Sequence, residues 1–332
     1  MVIIDPPAVA PPIRKRRRLL VTVPVWVLVA PALIWAVIRL GGWAPGALVQ
    51  LLAFTTYVAA WSLIPPVLAL ATRRWTAAGV ALIGTAVLVA AVLPRVLPDR
   101  DRGPADGVRI TVMTSNMRLG GADPRTIVRL VRENDVVILA LQELSPDARA
   151  ALTTAGLDEL LPYHSLGDEP GASGSGLYSR FPITDGAVRR NGGGFRQAYG
   201  TVRVAGAGAV IVESAHPLAP SEVSLNPGWR RDLDAEPVPA TDGPPRILLG
   251  DFNSTLDHAP LRRLIARGYR DAAATTGQGL VPTWPYDGRT VPKVTIDHVL
   301  VDRRIGVRDV SVHPVPDTDH RAVVAALTVT GG

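Results

Sequence analysis

Three long uncharged apolar runs in the first hundred residues constrain the fold of this 332-residue chain more than any other feature. The runs cover residues 19–38, 47–72 and 76–93. Each is long enough to cross the hydrocarbon core of a bilayer, which takes about 20 apolar residues. We therefore predict three transmembrane helices within residues 19–97, followed by a separate soluble domain.

Two other interpretations of these runs remain open. Apolar helices also form buried hairpins in soluble proteins, although three such runs within so short a stretch favour a membrane. The first run also has the basic flank of a signal peptide, but no small-residue cleavage site follows before more apolar sequence. We therefore expect the first helix to be retained.

The basic residues around these runs predict their orientation. Five lie in residues 14–18, before the first run, and Arg73 and Arg74 lie between the second and third runs. The first loop contains only Arg39. Because positively charged loops stay in the cytoplasm, we expect residues 1–18 to be cytoplasmic. The odd number of helices then places the soluble domain outside the cytoplasm, in a multi-pass protein of the cell membrane.

Charge and cysteine content exclude several kinds of site. The net charge is +6, and five of these charges belong to residues 14–18, which leaves +1 for the rest of the chain. A general polyanion-binding surface is therefore not indicated. The absence of cysteine excludes disulfides, thiolate metal sites and cysteine nucleophiles. Any bound metal must use oxygen or imidazole ligands.

The remainder of the chain has the pattern of an α/β domain. Residues 98–107, PDRDRGPADG, are typical of an exposed linker, and the domain is predicted to cover residues 108–332. Helices are predicted to begin at Asp123-Pro124 and at Ser145-Pro146. The strand candidates are RITVMTSN, DVVILALQE, GLYSRFPI, YGTVRVAG, AVIVESAH, RILLGDFN, TIDHVLVD and AVVAALTV.

Polar side chains recur at the ends of these apolar runs. Such positions meet at one edge of the sheet in α/β proteins. Each residue alone is more often a cap or a surface group, but their recurrence at one structural position predicts an active site. The residues concerned are Asn116, Glu143, His216, Asp251, Asn253 and Asp297, together with Asp319 and His320 before the last strand.

This mixture of side chains suits the hydrolysis of a phosphate ester. A hard divalent cation prefers oxygen ligands and neutralises phosphoryl oxygens, and Glu143 can ligate one directly. An imidazole that titrates near neutrality can exchange a proton with water or with a leaving oxygen. Asp297 or Asp319 can orient the imidazole of His320.

Eight short motifs carry a resemblance to a known family. In chain order they are SNMR, LQE, GLYSR, SAHP, GDFN, TWP, IDHVLV and TDH. The ordered set resembles the endonuclease/exonuclease/phosphatase superfamily over residues 108–330, in a membrane-anchored bacterial form. The resemblance implies a deoxyribonuclease I-like fold, which is a four-layer α/β sandwich with two mixed sheets packed face to face.

The resemblance also implies a metal site. Glu143 of LQE corresponds to the principal ligand of Mg²⁺ or Mn²⁺, and Asn116 of SNMR supports it. Asp319 of TDH is expected at the same metal.

Further roles are implied for the catalytic residues. Asp251 and Asn253 of GDFN are expected to position the nucleophilic water and a phosphate oxygen. His320 of TDH is expected to be the essential imidazole, oriented by Asp297. His216 of SAHP resembles a second histidine that meets a phosphate oxygen or the leaving group. The stretch GASGSGLYSR lacks the acidic residue that accompanies this histidine in the nucleases.

The function that we predict is metal-dependent hydrolysis of a phosphodiester, with an extracytoplasmic nuclease as the first hypothesis. A membrane-associated phosphatase or a phospholipase-like hydrolase acting on phosphorylated head groups is the alternative. A non-catalytic binding protein that kept the fold is the third. The expected partners are a phosphate-ester substrate, nucleic acid or phosphorylated lipid or small molecule, and the lipid bilayer. No obligate protein partner is indicated.

Overall fold

The structure, a computed structural model, describes residues 13–330, with side chains from residue 22 onwards. The predicted cytoplasmic segment, residues 1–18, therefore lies outside the residues whose side chains are described, as do the last two residues of the predicted catalytic domain. The chain divides into two compact units. The first contains Thr55–Val92 and the residues up to Gly41, and the second contains Gly42–Phe54 and the residues from Leu93 onwards.

The first unit is helical. Its helices are α1 (Ile13–Gly41), α3 (Thr55–Trp61), α4 (Ile64–Ala71) and α5 (Trp75–Val92), whereas α2 (Leu48–Leu52) belongs to the second unit. Alanine and valine side chains form a buried cluster in this unit, and the small alanines allow the helices to approach closely. The buried cluster consists of Val25, Val29, Ala69, Ala77, Ala78 and Ala81.

Two helices in the described part of the chain are long and apolar enough to cross a membrane. They are Thr22–Gly41, with a mean hydropathy of 2.1, and Trp75–Val96, with 2.3. The predicted second span is divided among α2, α3 and α4. Pro65 and Pro66 in the first turn of α4 account for the break between α3 and α4, because proline cannot continue a preceding helix. The expectation of three transmembrane helices is therefore not confirmed: among the described residues, two helices qualify by length and composition.

Twelve strands of the second unit form two six-stranded mixed sheets. In the first sheet the order is β11-β12-β1-β2-β4-β3, and in the second it is β5-β6-β7-β8-β10-β9. The strands are β1 (Val108–Asn116), β2 (Val136–Gln142), β3 (Tyr163–Gly167), β4 (Ser175–Ser179), β5 (Ile183–Arg190), β6 (Arg196–Val204), β7 (Gly208–Ala215), β8 (Arg246–Asp251), β9 (Tyr269–Asp271), β10 (Asp297–Asp302), β11 (Gly306–Pro314) and β12 (Arg321–Val329).

Local sequence signals set the helices of this unit. Asp123 caps the first of them by accepting a hydrogen bond from the backbone N–H of Thr126, and Ser145 caps the second through that of Ala148. Both helices begin with proline, as predicted. The helices are α6 (Pro124–Glu133), α7 (Pro146–Thr154), α8 (Leu157–Leu160), α9 (Asn226–Asp234), α10 (Ala259–Ala266) and α11 (Ala272–Thr275).

The two sheets pack face to face between helical layers. One buried cluster joins Val112 and Ile138 of the first sheet to Val212 and Leu249 of the second. A second cluster packs α6, α7 and α8 against the other face of the first sheet, while α9 and α10 contact each other and α10 contacts β9. The predicted fold, an α/β sandwich of the deoxyribonuclease I-like kind, is confirmed.

The strand predictions hold for the long apolar runs and fail for the short or polar strands. The predicted run GLYSRFPI contains the end of one strand, β4, and only the start of another, β5. The strands β3, β9 and β11 carry few continuous apolar residues or are very short, so periodicity did not reveal them.

The predicted linker, residues 98–107, is tied to the domain that follows it. The backbone N–H of Asp99 donates to the carbonyl of Thr275, and the carbonyl of Arg102 accepts from the N–H of Val307. Just upstream, the guanidinium of Arg95 forms a buried two-point ion pair with Asp257, at 2.5 and 2.8 Å. The second unit therefore starts before the predicted boundary at residue 108.

Candidate active site

The topology of the sheets brings the polar strand ends to one edge. The strands β1 and β2 run parallel, as do β7 and β8, so their carboxyl ends lie on the same side within each sheet. Asp297 stands at the start of β10 rather than at a strand end, and it pairs in register with Asp251 because β10 is antiparallel to β8. All eight predicted site residues lie at this edge.

Asn116 holds two carboxylates together. Its Nδ2 donates to Oε1 of Glu143 at 3.1 Å and to Oδ2 of Asp251 at 3.0 Å. The other oxygen of Glu143 accepts the backbone N–H of Leu119 at 2.7 Å. Uncharged donors thus fix both acids while leaving each carboxylate further lone pairs for a ligand.

The residues after two buried strands adopt a left-handed conformation. Glu143, directly after β2, has a φ of 56°, and Asn253, two residues after β8, has a φ of 48°. Side chains other than glycine avoid this region, and its use clusters at functional sites. At Asn253 the backbone N–H donates to Oδ1 of Asp251 at 2.8 Å, and the side-chain nitrogen donates to the carbonyl of Pro217 at 3.1 Å.

His320 is oriented by Asp297. Its Nδ1 lies 2.9 Å from Oδ2 and 3.1 Å from Oδ1 of Asp297, and both side chains are buried. Nε2 therefore points the other way, 3.7 Å from Oδ2 of Asp251 and 4.0 Å from Oδ1 of Asp319. The predicted pairing of His320 with Asp297, rather than with Asp319, is the one that the geometry supports.

Two buried threonines connect these groups. The hydroxyl of Thr318 donates to the carbonyl of Asn116 at 3.0 Å and accepts the backbone N–H of His320 at 3.1 Å. The hydroxyl of Thr283 accepts the backbone N–H of Asp297 at 3.2 Å. Sequence reasoning gave neither threonine a part in the site, although both lie within the motifs TDH and TWP.

Asp319 lies at the mouth of the site among cationic and aromatic groups. Its Oδ2 accepts from Nε1 of Trp284 at 3.0 Å and from the guanidinium of Arg289 at 2.7 Å, and its Oδ1 lies 3.8 Å from Nε of Arg118. Both arginines also approach the carboxylate of Asp287. Neither arginine was predicted to act here, and Arg289 lies in a loop without any motif that reveals it.

His216 is the second imidazole of the site. Its Nε2 lies 3.9 Å from Oδ2 of Asp251, and its ring packs edge-on against Phe195, with 4.7 Å between ring centres. Nδ1 of His216 is buried and finds no hydrogen-bond partner among the described residues. Among the described residues, the carboxylate near His216 is therefore that of Asp251, on the side of Nε2.

Six of the predicted residues line one cavity of about 550 Å³. The remaining two, Asn116 and Asp297, lie behind it and hold the residues that line it. The six are Glu143, His216, Asp251, Asn253, Asp319 and His320.

Burial and neighbouring charges raise the pKa of Glu143, Asp251 and His320 and lower the pKa of His216. Burial raises the pKa of Glu143, and burial raises the pKa of Asp251 to about 7, with the charge of His320 opposing this shift and that of Asp297 adding to it. Burial alone would lower the pKa of His320, but the charges of Asp297 and Asp251 outweigh it and raise the pKa. Burial lowers the pKa of His216 to about 3, and the charge of His320 contributes to this.

Oxygen-rich groups in this cavity fit a hard divalent cation. Ligand atoms of Asp251, Asp297 and His320 lie within 4.8 Å of one another. Glu143 and Asp319 are outside this group of three, and the metal ligands predicted from sequence remain a prediction. A raised pKa means that burial disfavours the charged form of a carboxylate, and a bound cation would stabilise that charged form.

Comparison with known proteins supports the same fold. The profile described as "Endonuclease/Exonuclease/phosphatase family" matches residues 113–320. No curated protein matches the chain significantly in sequence.

Many solved structures resemble the chain, and three of them illustrate the likeness. An endonuclease/exonuclease/phosphatase from Beutenbergia cavernae is 19% identical, with a TM-score of 0.55 over 67% of this chain and 72% of that one. Humanized TDP2 from D. rerio is 13% identical, with a TM-score of 0.54 over 67% and 99%. Truncated TDP2 from Caenorhabditis elegans is 15% identical, with a TM-score of 0.51 over 67% and 98%. At these identities the likeness concerns the fold.

The matched segment covers more than half of the chain and contains every predicted site residue. Its ends lie in β1 and at His320, so it includes the strands that bring those residues together. The chain therefore belongs to the endonuclease/exonuclease/phosphatase family, and it is a metal-dependent hydrolase of phosphate ester bonds.

Proposed function

We propose that the chain hydrolyses a phosphodiester in the cavity that Glu143, His216 and His320 line. One observation carries this proposal: His320, held at Nδ1 by Asp297, presents Nε2 to the same cavity, 3.7 Å from Asp251. An imidazole with one nitrogen anchored and the other directed at the reaction site is arranged for acid–base catalysis.

We propose that Glu143 and Asp319 hold Mg²⁺ or Mn²⁺, with Asn116 supporting Glu143. The group formed by Asp251, Asp297 and His320 is less suited, because a cation there would compete with the hydrogen bond between Nδ1 and Asp297. Glu143 accepts only uncharged donors, so its lone pairs remain available. A divalent cation supplies neutralisation of the charge on the phosphoryl oxygens.

The two imidazoles take different protonation states. Because the pKa of His320 is raised, its ring is protonated at neutral pH and donates from Nε2 to a phosphoryl oxygen or to the leaving oxygen. Because the pKa of His216 is lowered, its ring stays neutral and offers one N–H to a second oxygen. When two titratable groups in one active site have widely different pKa values, one commonly acts as the proton donor and the other stays neutral or acts as the base.

Asp251 and Asn253 complete the site. The Oδ2 atom of Asp251 lies 3.7 and 3.9 Å from the Nε2 atoms of His320 and His216, so a water molecule bound to Asp251 on the cavity side would lie close to both imidazoles. We propose that Asp251 orients the attacking water and that Asn253, which lines the same cavity, binds a phosphate oxygen.

A comparison of two chromogenic esters tests this function. Full-length protein is assayed on bis-p-nitrophenyl phosphate, a diester, and on p-nitrophenyl phosphate, a monoester, with Mg²⁺, with Mn²⁺ and with a chelator. We expect hydrolysis of the diester that the chelator abolishes and added metal restores. Hydrolysis of the monoester alone would indicate a phosphatase, and no hydrolysis of either would support a non-catalytic protein.

We also propose that the helices of the first unit anchor the chain in the cell membrane, with the catalytic unit outside the cytoplasm. Only 22% of the apolar window in Thr22–Gly41 is buried, whereas a core helix of a soluble protein is mostly buried. Large apolar side chains such as Val27, Val37 and Leu40 are more than 60% exposed. So much exposed apolar surface suits contact with lipid.

Reporter fusions test this location. An alkaline phosphatase reporter fused after Gly107 is expected to be active, and a fluorescent protein that folds only in the cytoplasm is expected to stay dark. The opposite pattern would place the catalytic unit in the cytoplasm, and two inactive fusions on a chain absent from the membrane fraction would contradict the anchor itself.

A further inference from the structure

Residues 42–54, between the two stretches of the first unit, belong to the catalytic unit. The side chains of Val49, Gln50, Ala53 and Phe54 line the same cavity of about 550 Å³ as the catalytic groups. A connection between two apolar helices thus provides part of the wall of the active site. Nothing in the motifs of the family profile, which begins at residue 113, accounts for this wall.

Polar side chains fix residues 42–54 in place. The Nε2 atom of Gln50 donates to the carbonyl of Pro220 at 2.7 Å and to Oδ1 of Asn226 at 2.9 Å. In return, Nδ2 of Asn226 donates to the carbonyl of Gly46 at 2.8 Å. These hydrogen bonds are at least partly buried, so they fix residues 42–54 firmly to the rest of the catalytic unit.

A buried histidine adds a further anchor. The backbone N–H of Thr255 donates to Nδ1 of His258 at 2.9 Å, which leaves the ring proton on Nε2. Nε2 then donates to the carbonyl of Val49 at 2.8 Å. Thr255 and His258 lie two and five residues after the GDFN motif, so the segment is held by the stretch of chain that follows Asp251 and Asn253.

The groups that this wall adds to the cavity are mostly apolar. Val49, Ala53 and Phe54 stand beside Ala219 and Pro220 in the lining, and only Gln50 is polar. The hydrolysis of a phosphodiester requires polar groups around phosphorus, but the chemical step does not require apolar side chains in the cavity. An apolar wall in a site for a charged phosphate therefore points to a substrate with an apolar portion.

The cations of the cavity argue against a nucleic-acid substrate. Among the described residues that line it, Arg118 and Arg289 are the only lysines or arginines, and both already approach Asp287 and Asp319. Binding of a nucleic-acid backbone depends on several cations that neutralise successive phosphates. Two paired arginines suit a single phosphate group instead.

We propose that residues 42–54 form a binding surface for the apolar chain of an amphiphilic phosphodiester, so that the natural substrate is a lipid-like phosphate ester. The inference rests on the proposed phosphodiesterase function and adds its substrate class. Phe54 is the central residue of this surface, because it is the largest apolar side chain that the segment places in the lining.

A series of alkyl p-nitrophenyl phosphates tests the proposal. The members carry ethyl, butyl or hexyl groups, share one leaving group, and differ only in apolar length. Full-length protein in lipid nanodiscs should show kcat/KM rising by up to about fourfold per methylene, and by at least about tenfold from ethyl to hexyl. Partition of the esters into lipid affects all variants equally, so ratios between variants report the protein.

Three variants make the test specific. Phe54→Ser should lower the hexyl-to-ethyl ratio of kcat/KM by at least about fivefold. Phe54→Leu should keep most of the ratio, because leucine restores an apolar contact. Leu51→Ser, an equal change in polarity at a residue of the same segment that is 44% exposed and does not line the cavity, should leave the ratio unchanged.

The outcomes separate this proposal from the function on which it rests. Equal kcat/KM for all chain lengths, or a ratio that Phe54→Ser does not change, would overturn the lipid-like substrate while leaving the phosphodiesterase intact. Faster hydrolysis of a single-stranded oligonucleotide than of the hexyl ester would overturn it in favour of a nuclease. No hydrolysis of even the ethyl ester with Mg²⁺ or Mn²⁺ would overturn both proposals.

Discussion

His320 and Asp297 form a buried pair in which Nδ1 of the imidazole lies 2.9 Å from Oδ2 of the carboxylate. The exposed fraction of the His320 side chain is 6%, and that of Asp297 is 1%. Water therefore competes little for this contact, and the carboxylate both fixes the ring orientation and stabilises its charged form. The free nitrogen, Nε2, is left to act in the cavity.

Asp297→Asn should reduce kcat less than loss of the imidazole does, because the ring remains while its orientation and charge are less well supported. The variant should also lower the pKa of His320, since it removes the negative charge of Asp297, which raises that pKa. A rate that depends on protonated His320 falls as the pH rises through that pKa. The alkaline limb of the pH profile of kcat should therefore move to lower pH, and an unmoved limb would contradict a positioning role.

Glu143→Gln should weaken metal binding more than chemistry, because it removes one charge and keeps the size of the side chain. Titration of activity with Mn²⁺ should shift to higher concentration, and excess metal should restore part of the rate. Asp317→Asn serves as the control, since it removes an exposed carboxylate beside the TDH motif that does not line the cavity. Unchanged metal dependence in Glu143→Gln would show that Glu143 is not the principal ligand.

Acid should loosen residues 42–54 through His258. Burial lowers the pKa of His258 below its ordinary value of 6.5. In the closed form, residues 42–54 are bonded to His258, and in the open form they have locally detached and His258 is solvated. The open form therefore binds the proton more readily than the closed form. The closed form is thus favoured above pH 6.5 and loses stability as the pH falls below it, by up to about tenfold in the opening constant per pH unit.

Hydrogen exchange of residues 47–54 measures this effect. Protection factors, corrected for intrinsic exchange, should fall between pH 6.5 and 5.5 in the wild type. In His258→Gln the amide can still donate to the carbonyl of Val49 but does not titrate, so protection should change little with pH. An equal fall in both proteins would assign the effect to another group.

Much of the active site was predictable because it depends on strand ends. Glu143 and Asp251 stand at the ends of continuous apolar runs that form the buried strands β2 and β8. Each of these strands has a parallel neighbour in its own sheet, so Asn116 and His216 lie on the same side as they do. The order of the motifs then predicted that Asp297 would accompany His320, and the geometry agrees.

The wall formed by residues 42–54 was not predictable in the same way. In the sequence, Val49 and Phe54 belong to a long uncharged run, and hydropathy alone assigned them to a transmembrane helix. Their position depends on hydrogen bonds from Gln50 and His258 to partners about 170 to 210 residues away. Contacts at such separation leave no local pattern in the sequence.

The turnover of His320→Ala at saturating metal tests the central claim most directly. Loss of the imidazole should lower kcat by about 10² to 10⁴, with metal binding largely kept and the melting temperature unchanged. His298→Ala is the matched control, because His298 is also buried and bonded to a carboxylate, Asp271 at 2.7 Å, but does not line the cavity. It should lower the melting temperature and leave kcat per folded molecule near that of the wild type. A folded His320→Ala protein that turns over substrate at nearly the wild-type rate would contradict the proposed mechanism.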